Sequence, residues 1–202
     1  MSINPAEGEP LVSRLFVLGG ARSGKSNFAE AWIQARSGPK LYIATAEARD
    51  AEMADRIARH KERRGAGWRT LEAPLDIVKA LSSYDSGGMS VLIDCLTLWV
   101  SNLIEAERDV EAECERLVKH LGQSRARIAL VSNEVGLGIV PDNELARQFR
   151  DEAGRVNQRI AAEAKAVVFM AAGLPMLLKG PKGPLDGGRF SGRGRGGEGS
   201  DR

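Results

Sequence analysis

Residues 19–26 read Gly19-Gly20-Ala21-Arg22-Ser23-Gly24-Lys25-Ser26, which fits the pattern Gly-x-x-x-x-Gly-Lys-Ser/Thr. A β-like apolar run at 14–18 precedes this stretch, and a helix-like run at 27–33 follows it. A strand, a glycine-rich loop and a helix in this order are typical of a phosphate-binding loop (P-loop). The glycines let backbone N–H groups turn toward an anion, and the helix adds the positive end of its dipole. The stretch therefore predicts a nucleotide site.

Three side chains have expected roles at this site. Lys25 would reach the β- and γ-phosphates of the nucleotide, and the hydroxyl of Ser26 would ligate Mg²⁺. Asp94 ends a second strongly apolar strand, Ser90-Val91-Leu92-Ile93-Asp94. An acid in that position of a P-loop protein helps to hold Mg²⁺. A glycine-rich turn that binds nothing is the alternative, and the flanking strand and helix patterns argue against it.

Apolar runs and helical periodicities alternate along the chain, which predicts an α/β fold with a mainly parallel sheet and helices on both faces. At 202 residues, one domain is expected. Ligands of such sheets bind beyond the carboxyl ends of the strands, so the segments at Gly19, Ala46, Asp94 and Asn133 should gather around one crevice. The expected further strands are 40–45, 68–72, 90–94, 127–132, 166–171 and 176–179, and the expected further helices are 50–64, 75–84, 96–104, 107–122 and 142–165.

The last of these helices carries a pattern that can be checked in detail. Asp142 follows a proline and is expected to cap the helix at its amino end. Apolar residues recur at helical spacing after it, which predicts a core-facing stripe formed by Leu145, Phe149, Val156 and Ile160.

The charge of the chain is unevenly distributed. The net charge is +2, and residues 181–202 account for all of it, with five basic and three acidic side chains. Residues 1–180 are neutral, which argues against a broad nucleic-acid footprint. Residues 181–202 also hold 8 of the 23 glycines and almost no bulky apolar side chains, so a disordered tail is expected. The expected organisation is an N-terminal extension (1–13), one domain (14–180) and this tail (181–202).

The location of the protein is inferred from three absences. No stretch approaches 18 consecutive apolar residues, so no membrane span is expected. Residues 1–13 lack the basic start and apolar segment of a secretory signal. Cys95 and Cys114 are too few for a disulfide framework, and Cys95 should pack beside the site without reacting. These features favour a cytoplasmic protein with reduced thiols.

His60 lies within a strongly basic stretch, Arg56 to Arg64. It shares a helical stripe with Met53 and Ile57, which indicates that it faces inward. The surrounding cations would bind a polyphosphate and favour a neutral, nucleophilic imidazole. A histidine on the surface of a charged helix is the plain alternative, and the residues alone leave both readings open.

Seven segments together resemble one known family: residues 19–26, Tyr42-Ile43-Ala44-Thr45, Arg56-Ile57-x-x-His60-Lys61, Trp68-Arg69-Thr70-x-Glu72, Asp94-Cys95-Leu96-Thr97-Leu98-Trp99, Val131-Ser132-Asn133-Glu134-Val135-Gly136 and Ala153-Gly154-Arg155-Val156-Asn157-Gln158. The resemblance is to the bifunctional adenosylcobinamide kinase / adenosylcobinamide-phosphate guanylyltransferase family of cobalamin biosynthesis, and it runs from about Arg14 to Lys179. The N-terminal extension and the Gly/Arg-rich tail lie outside it.

The resemblance implies two reactions, a RecA-like sheet and a trimeric assembly. ATP or GTP would phosphorylate adenosylcobinamide, and GMP from GTP would then pass through a histidine to the new phosphate, giving adenosyl-GDP-cobinamide. The catalytic residues would be Lys25 and His60, the latter as nucleophile. The nucleotide contacts of the family fall on residues 19–26 and on Ala44, Thr45, Ala46, Lys61, Glu62, Arg63, Arg64, Glu72 and Asp94.

Two other functions compete with this interpretation. One is a single-function small-molecule kinase on the same fold, in which His60 is structural. The other is a RecA-like ATPase that associates with RNA through its Gly/Arg-rich tail. The neutrality of residues 1–180 weighs against the second, and neither would retain GMP covalently.

Overall fold

Seven strands form a single sheet in the computed structural model of the chain, which describes residues 12–46 and 67–181. All neighbouring strands run parallel except the last pair, which is antiparallel. The predicted mainly parallel α/β fold is thereby confirmed. The strands are β1 (Arg14–Gly19), β2 (Lys40–Ala44), β3 (Trp68–Glu72), β4 (Ser90–Asp94), β5 (Arg127–Asn133), β6 (Ala166–Ala171) and β7 (Leu174–Lys179), in the spatial order β3-β2-β4-β5-β1-β6-β7.

Five helices in the described part of the chain cover the two faces of the sheet. Helix α1 packs on one face, where Trp32 belongs to the same buried cluster as Leu15 and Val17 of β1. The other four helices pack on the opposite face, against Phe16 and other side chains that point the other way. The strand pleat produces this division, because successive side chains alternate between faces. The helices are α1 (Lys25–Gln34), α2 (Ile77–Ser82), α3 (Leu96–Glu105), α4 (Val110–Gln123) and α5 (Glu144–Glu163).

Burial is nearly complete along the central strands. Phe16, Ile43 and Leu92 are each 0% exposed, and Trp32 and Trp99 are each 1% exposed. Each side chain of this size contributes about 1.5–3 kcal/mol when it is removed from water. The indole N–H of Trp99 also donates to the carbonyl of Leu75 at 2.8 Å, so its polar atom is satisfied inside the core. These two buried layers hold the carboxyl ends of the strands in fixed positions.

Four helix starts differ from the sequence-based expectations, and the first is α1, which begins at Lys25, two residues before the expected run at 27–33. Helix α4 begins at Val110, because Asp109 caps it through the N–H of Ala112 and Glu107 has a positive φ of 53°. The cap of α5 is Asn143, which accepts from Ala146, and the expected cap Asp142 lies one residue earlier. The short helix α2 begins at Ile77, two residues after the expected start. The helix expected over 50–64 falls outside the described residues.

The core stripe of α5 was predicted one turn too long. Val156 and Ile160 are buried and Phe149 packs against the core, as expected, but Leu145 is 57% exposed. It lies in the first turn of the helix, where the core of the sheet no longer covers it. Strand β7 is likewise exposed along its whole length. No helix in residues 12–46 or 67–181 combines the length and apolar character that crossing a membrane requires.

Candidate nucleotide-binding site

The carboxyl ends of β1, β4 and β5 enclose a pocket of about 380 Å³. The sheet order places them side by side, with β5 between β1 and β4. The pocket therefore lies where ligands of parallel sheets bind. It brings six of the eight P-loop residues together with Asp94. Its lining consists of Ala21, Arg22, Ser23, Gly24, Lys25, Ser26, Asn27, Asp94, Cys95, Val131 and Asn133.

The P-loop has the backbone shape that its sequence predicts. Gly24 caps α1 with a φ of 96°, and Arg22 has a φ of 55°, so both lie in the left-handed region. Lys25 is the first residue of α1 and is only 7% exposed. Its ammonium group donates to the carbonyl of Gly20 at 2.5 Å, which holds the positive charge over the loop. This placement combines a buried cation with the amino end of a helix, the arrangement that attracts a phosphate.

Gly19 cannot carry a side chain without disturbing the loop. Its φ is 150°, and an added Cβ would lie 2.4 Å from the carbonyl oxygen of Met170. We therefore expect Gly19→Ala to lower the melting temperature by about 5–10 °C, because forcing such a backbone costs about 1–3 kcal/mol. Gly87→Ala is the matched control, since its Cβ would meet nothing within 4 Å. Equal melting temperatures for the two variants in thermal unfolding would contradict this expectation.

Asp94 and Ser26 both line the pocket, where each could offer an oxygen ligand to a cation. The hydroxyl of Tyr42 donates to Oδ2 of Asp94 at 3.2 Å, which orients the carboxylate. Mg²⁺ is commonly held by one or two protein oxygens together with phosphate oxygens and water. One carboxylate and one hydroxyl beside a phosphate-binding loop fit that ion.

Thr45 does not line the pocket, but it is hydrogen-bonded to Cys95, which does. It is 0% exposed, its hydroxyl donates to the carbonyl of Cys95 at 2.7 Å, and it accepts from the N–H of Cys95 at 2.8 Å. The side-chain amide of Asn102 donates to the carbonyl of Thr45 at 2.8 Å. These bonds tie the end of β2 to the segment that follows Asp94. Contact of Thr45 with a nucleotide stays a prediction.

Several other predicted residues lie outside the pocket lining. Gly19 and Gly20 form the base of the loop, and Ala44, Ala46 and Glu72 lie at the ends of β2 and β3. Ala44 and Glu72 are register partners in the parallel pair. Their nucleotide contacts are not tested by this geometry. The remaining predicted residues, His60, Lys61, Glu62, Arg63 and Arg64, fall in the segment 47–66, outside the described residues.

Comparison with protein families matches residues 15–178 to the family described as cobinamide kinase / cobinamide phosphate guanyltransferase. The chain belongs to this family. The similarity that the sequence motifs indicated is confirmed, over nearly the same range of residues. The match spans the P-loop, Asp94, β5 and α5, and it ends within β7.

Relatives with curated names support the same family. The bifunctional adenosylcobalamin biosynthesis protein CobP of Pseudomonas aeruginosa is 51% identical over 170 residues, which cover 83% of this chain and 98% of the relative. The bifunctional adenosylcobalamin biosynthesis protein CobU of Salmonella typhimurium is 41% identical over 181 residues, which cover 82% of this chain and 99% of the relative. The similarity therefore spans nearly the whole length of each relative.

A solved structure supports the fold at larger evolutionary distance. A prototypical ATPase from the type III secretion system of pathogenic bacteria superposes with a TM-score of 0.50 at 12% identity. The superposition covers 83% of this chain and 58% of that one. At this identity the likeness concerns the fold alone, and it agrees with the predicted RecA-like P-loop sheet.

The pocket of this family member also contains residues that sequence reasoning did not assign. Asn27 and Val131 line it together with the P-loop, and so does Asn133, whose strand end the sequence placed at the crevice without giving the side chain a role. The sequence does indicate a polar side chain at this strand end, since Asn133 ends the buried strand β5 in the same way that Asp94 ends β4. Without the strand order, that signal does not show which strand ends adjoin the P-loop.

Cys95 lines the pocket, and its thiol is held in the protonated form. Burial, followed by the nearby carboxylate of Asp94, raises its pKa to about 11. Only the thiolate reacts, so at neutral pH we expect alkylation by iodoacetamide at least about 100-fold slower than for a free cysteine of pKa about 8.5. The rate should rise about tenfold per pH unit up to about pH 11. Mass spectrometry of the labelled peptide measures it, and rapid labelling of Cys95 in folded protein at pH 7 would contradict the prediction.

Proposed function

We propose that this protein phosphorylates adenosylcobinamide with ATP or GTP and then transfers GMP from GTP to the product, giving adenosyl-GDP-cobinamide. The observation that supports this most strongly is the family match at residues 15–178, which includes a pocket formed by Lys25, Ser26 and Asp94. Bifunctional relatives that match over 98–99% of their own length point to the same pair of reactions.

In the first reaction, a hydroxyl oxygen of cobinamide forms a bond to the γ-phosphorus, and the bond to the β–γ bridging oxygen breaks. The nucleoside diphosphate leaves, and the hydroxyl proton is released. The protein contributes mainly by positioning and by neutralising charge. Lys25 and the P-loop amides would hold the β- and γ-phosphates. Ser26 and Asp94 would hold Mg²⁺, which supplies further charge neutralisation to the triphosphate when it is bound.

In the second reaction, we propose that His60 attacks the α-phosphorus of GTP and that pyrophosphate leaves. The cobinamide phosphate then displaces the histidine from the guanylyl group. This two-step route replaces one difficult displacement by two easier ones. The assignment of His60 rests on the sequence resemblance and on the basic residues around it, namely Arg56, Arg59, Lys61, Arg63 and Arg64.

The test uses the purified full-length chain with adenosylcobinamide, Mg²⁺ and either ATP or GTP. We expect adenosylcobinamide phosphate with either nucleotide, and adenosyl-GDP-cobinamide only when GTP is present. Chromatography with mass detection separates the two products. Formation of the phosphate alone would identify a single-function kinase, and nucleotide hydrolysis without either product would favour the ATPase alternative.

We also propose a homo-oligomer, a trimer by family resemblance, located in the cytoplasm where ATP and GTP are supplied. Strand β7 supports association, because it lies at a sheet edge and exposes Leu174, Met176, Leu177 and Leu178. Exposed apolar edges of this kind are typical contact surfaces. Sedimentation velocity tests the proposal, and a monomer at micromolar concentration would contradict it.

A further inference from the structure

Asn133 occupies the strand end that lies between the P-loop and Asp94. Strand β5 separates β1 from β4 in the sheet. In the register, Asn133 is level with Gly19, whereas Asp94 is level with Val131. Asn133 therefore lies two residues further toward the carboxyl edge than Asp94 does. It lines the same pocket as Lys25 and Ser26.

The main chain of Asn133 is held on both sides by buried side chains. Its N–H donates to Oγ1 of Thr97 at 2.6 Å, and its carbonyl accepts from Nδ2 of Asn157 at 3.3 Å. Thr97 also shares a hydrogen bond with the hydroxyl of Ser132 at 3.1 Å. Thr97 and Asn157 are 6% and 7% exposed, so both anchors are inside the protein. The start of α3 and the middle of α5 thus fix this strand end from two directions.

The side chain of Asn133, unlike its main chain, is not held by hydrogen bonds to the described residues. Among the described residues, none forms a hydrogen bond with its carboxamide, and the residue is only half-buried at the pocket wall. Next to it, Oδ1 of Asn157 is buried without a hydrogen-bond partner among those residues. Buried polar atoms in native proteins nearly always have partners, so this oxygen indicates that a water molecule completes the network behind the strand end. A rigidly held strand end therefore presents an uncommitted amide to the ligand.

We propose that Asn133 is a catalytic residue of the kinase step, with its carboxamide N–H donating to the terminal phosphate of the bound nucleotide. Thr97 and Asn157 are positioning residues that hold Asn133 in place. This inference rests on the proposed function. The position follows from the topology: a triphosphate with its β- and γ-phosphates at Lys25, and its metal at Ser26 and Asp94, places its terminal phosphate beside the intervening strand.

Phosphoryl transfer favours a neutral hydrogen-bond donor beside the terminal phosphate. During transfer, negative charge spreads over the three equatorial oxygens of the γ-phosphoryl group. A preorganised N–H aimed at one of those oxygens stabilises the transition state, and removal of one such donor costs about 10²–10³-fold in kcat in well-studied cases. In the guanylyl transfer the γ-phosphate leaves within pyrophosphate and is not the reacting centre. Asn133 should therefore matter for the first reaction far more than for the second.

The main test compares Asn133→Ala with wild type in both reactions. We expect the kcat of phosphorylation to fall about 10–100-fold. Retention of label from α-labelled GTP should stay within about threefold of wild type, since that attack is at the α-phosphorus. Asn133→Asp should lose more kinase activity than the alanine variant, because it places a carboxylate against a phosphate. Asn143→Ala is the control: it removes an amide that caps α5 away from the pocket, and it should lower stability without lowering kcat.

Nucleotide binding provides a readout that does not depend on cobinamide. Isothermal titration should show weaker ATP binding by Asn133→Ala, by less than about tenfold, with ADP binding unchanged. Equal weakening for ATP and ADP would make Asn133 a structural residue and overturn the proposal. So would a kinase kcat within about threefold of wild type. A wild-type protein that does not phosphorylate adenosylcobinamide would instead overturn the proposed function, and the ATP-to-ADP comparison would still decide the role of Asn133.

The positioning role of Thr97 is tested by two substitutions. Thr97→Val keeps the shape but removes the acceptor of the Asn133 N–H, and we expect a loss in kinase kcat at nearly unchanged KM for ATP. Thr97→Ser retains the hydroxyl and should restore most of the activity. A valine variant with wild-type kcat, or a serine variant as impaired as valine at equal melting temperature, would contradict the positioning role.

Discussion

Lys25→Ala is expected to reduce both the kinase and the guanylyl transfer activities by at least about 1,000-fold. Lys25 is the buried cation of the pocket, 7% exposed, and no second lysine lines the described part of that pocket. Both reactions require a triphosphate whose charge is neutralised and whose position is fixed. The alanine variant would leave the P-loop amides in place but remove the ammonium group of Lys25, so weak nucleotide binding should persist without turnover.

The measurement is steady-state turnover of each reaction at saturating nucleotide, together with nucleotide affinity. Lys79→Ala is the matched control, because Lys79 is an exposed lysine in the last turn of α2, outside the pocket lining. It should retain both activities within about twofold. Near-wild-type kinase activity in Lys25→Ala would mean that the phosphates bind elsewhere.

His60→Ala is expected to abolish covalent guanylylation completely while phosphorylation of adenosylcobinamide persists within about tenfold. The proposed phosphoramidate forms at the imidazole nitrogen, and the carboxamide of asparagine is not nucleophilic, so His60→Asn should behave like the alanine variant. The kinase step requires no nucleophilic side chain. Incubation with α-labelled GTP followed by denaturing electrophoresis measures the adduct, with kinase turnover recorded in parallel.

The chemistry of the adduct and the second histidine supply the controls. A phosphoramidate survives base and breaks down in mild acid, because protonation of the ring makes it a good leaving group. The chain has two histidines, so His120→Ala is the natural comparison and should keep full labelling. His120 lies in α4, with its Nε2 3.5 Å from a carboxylate oxygen of Asp85, and it is not part of the pocket lining. Undiminished labelling of His60→Ala would move the nucleophile to another residue, and loss of kinase activity in that variant would make His60 structural.

Local sequence patterns determined most of the fold. The P-loop motif, the apolar strands and the helical periodicities depend on neighbours within a few residues, so each could be recognised without tertiary information. The observed strands at Trp68–Glu72, Ser90–Asp94 and Ala166–Ala171 have the predicted bounds. The alternation of strands and helices was also enough to predict a mainly parallel sheet, because parallel strands require crossover connections.

The tertiary structure alone decided which strand ends meet and which side chains they present. The order β4-β5-β1 is a long-range property, and it places Asn133, which the sequence predicted only to lie at the same crevice, directly between the P-loop and Asp94. Long-range contacts also decide the environment of Thr45, whose hydroxyl is hydrogen-bonded to Cys95, fifty residues away. They decide that of Leu145 as well, because its helical spacing predicts burial but its turn of the helix lies beyond the core. Periodicity reports which face of an element is apolar, whereas burial depends on what packs against that face. That partner is contributed by distant parts of the chain, and only the folded structure identifies it.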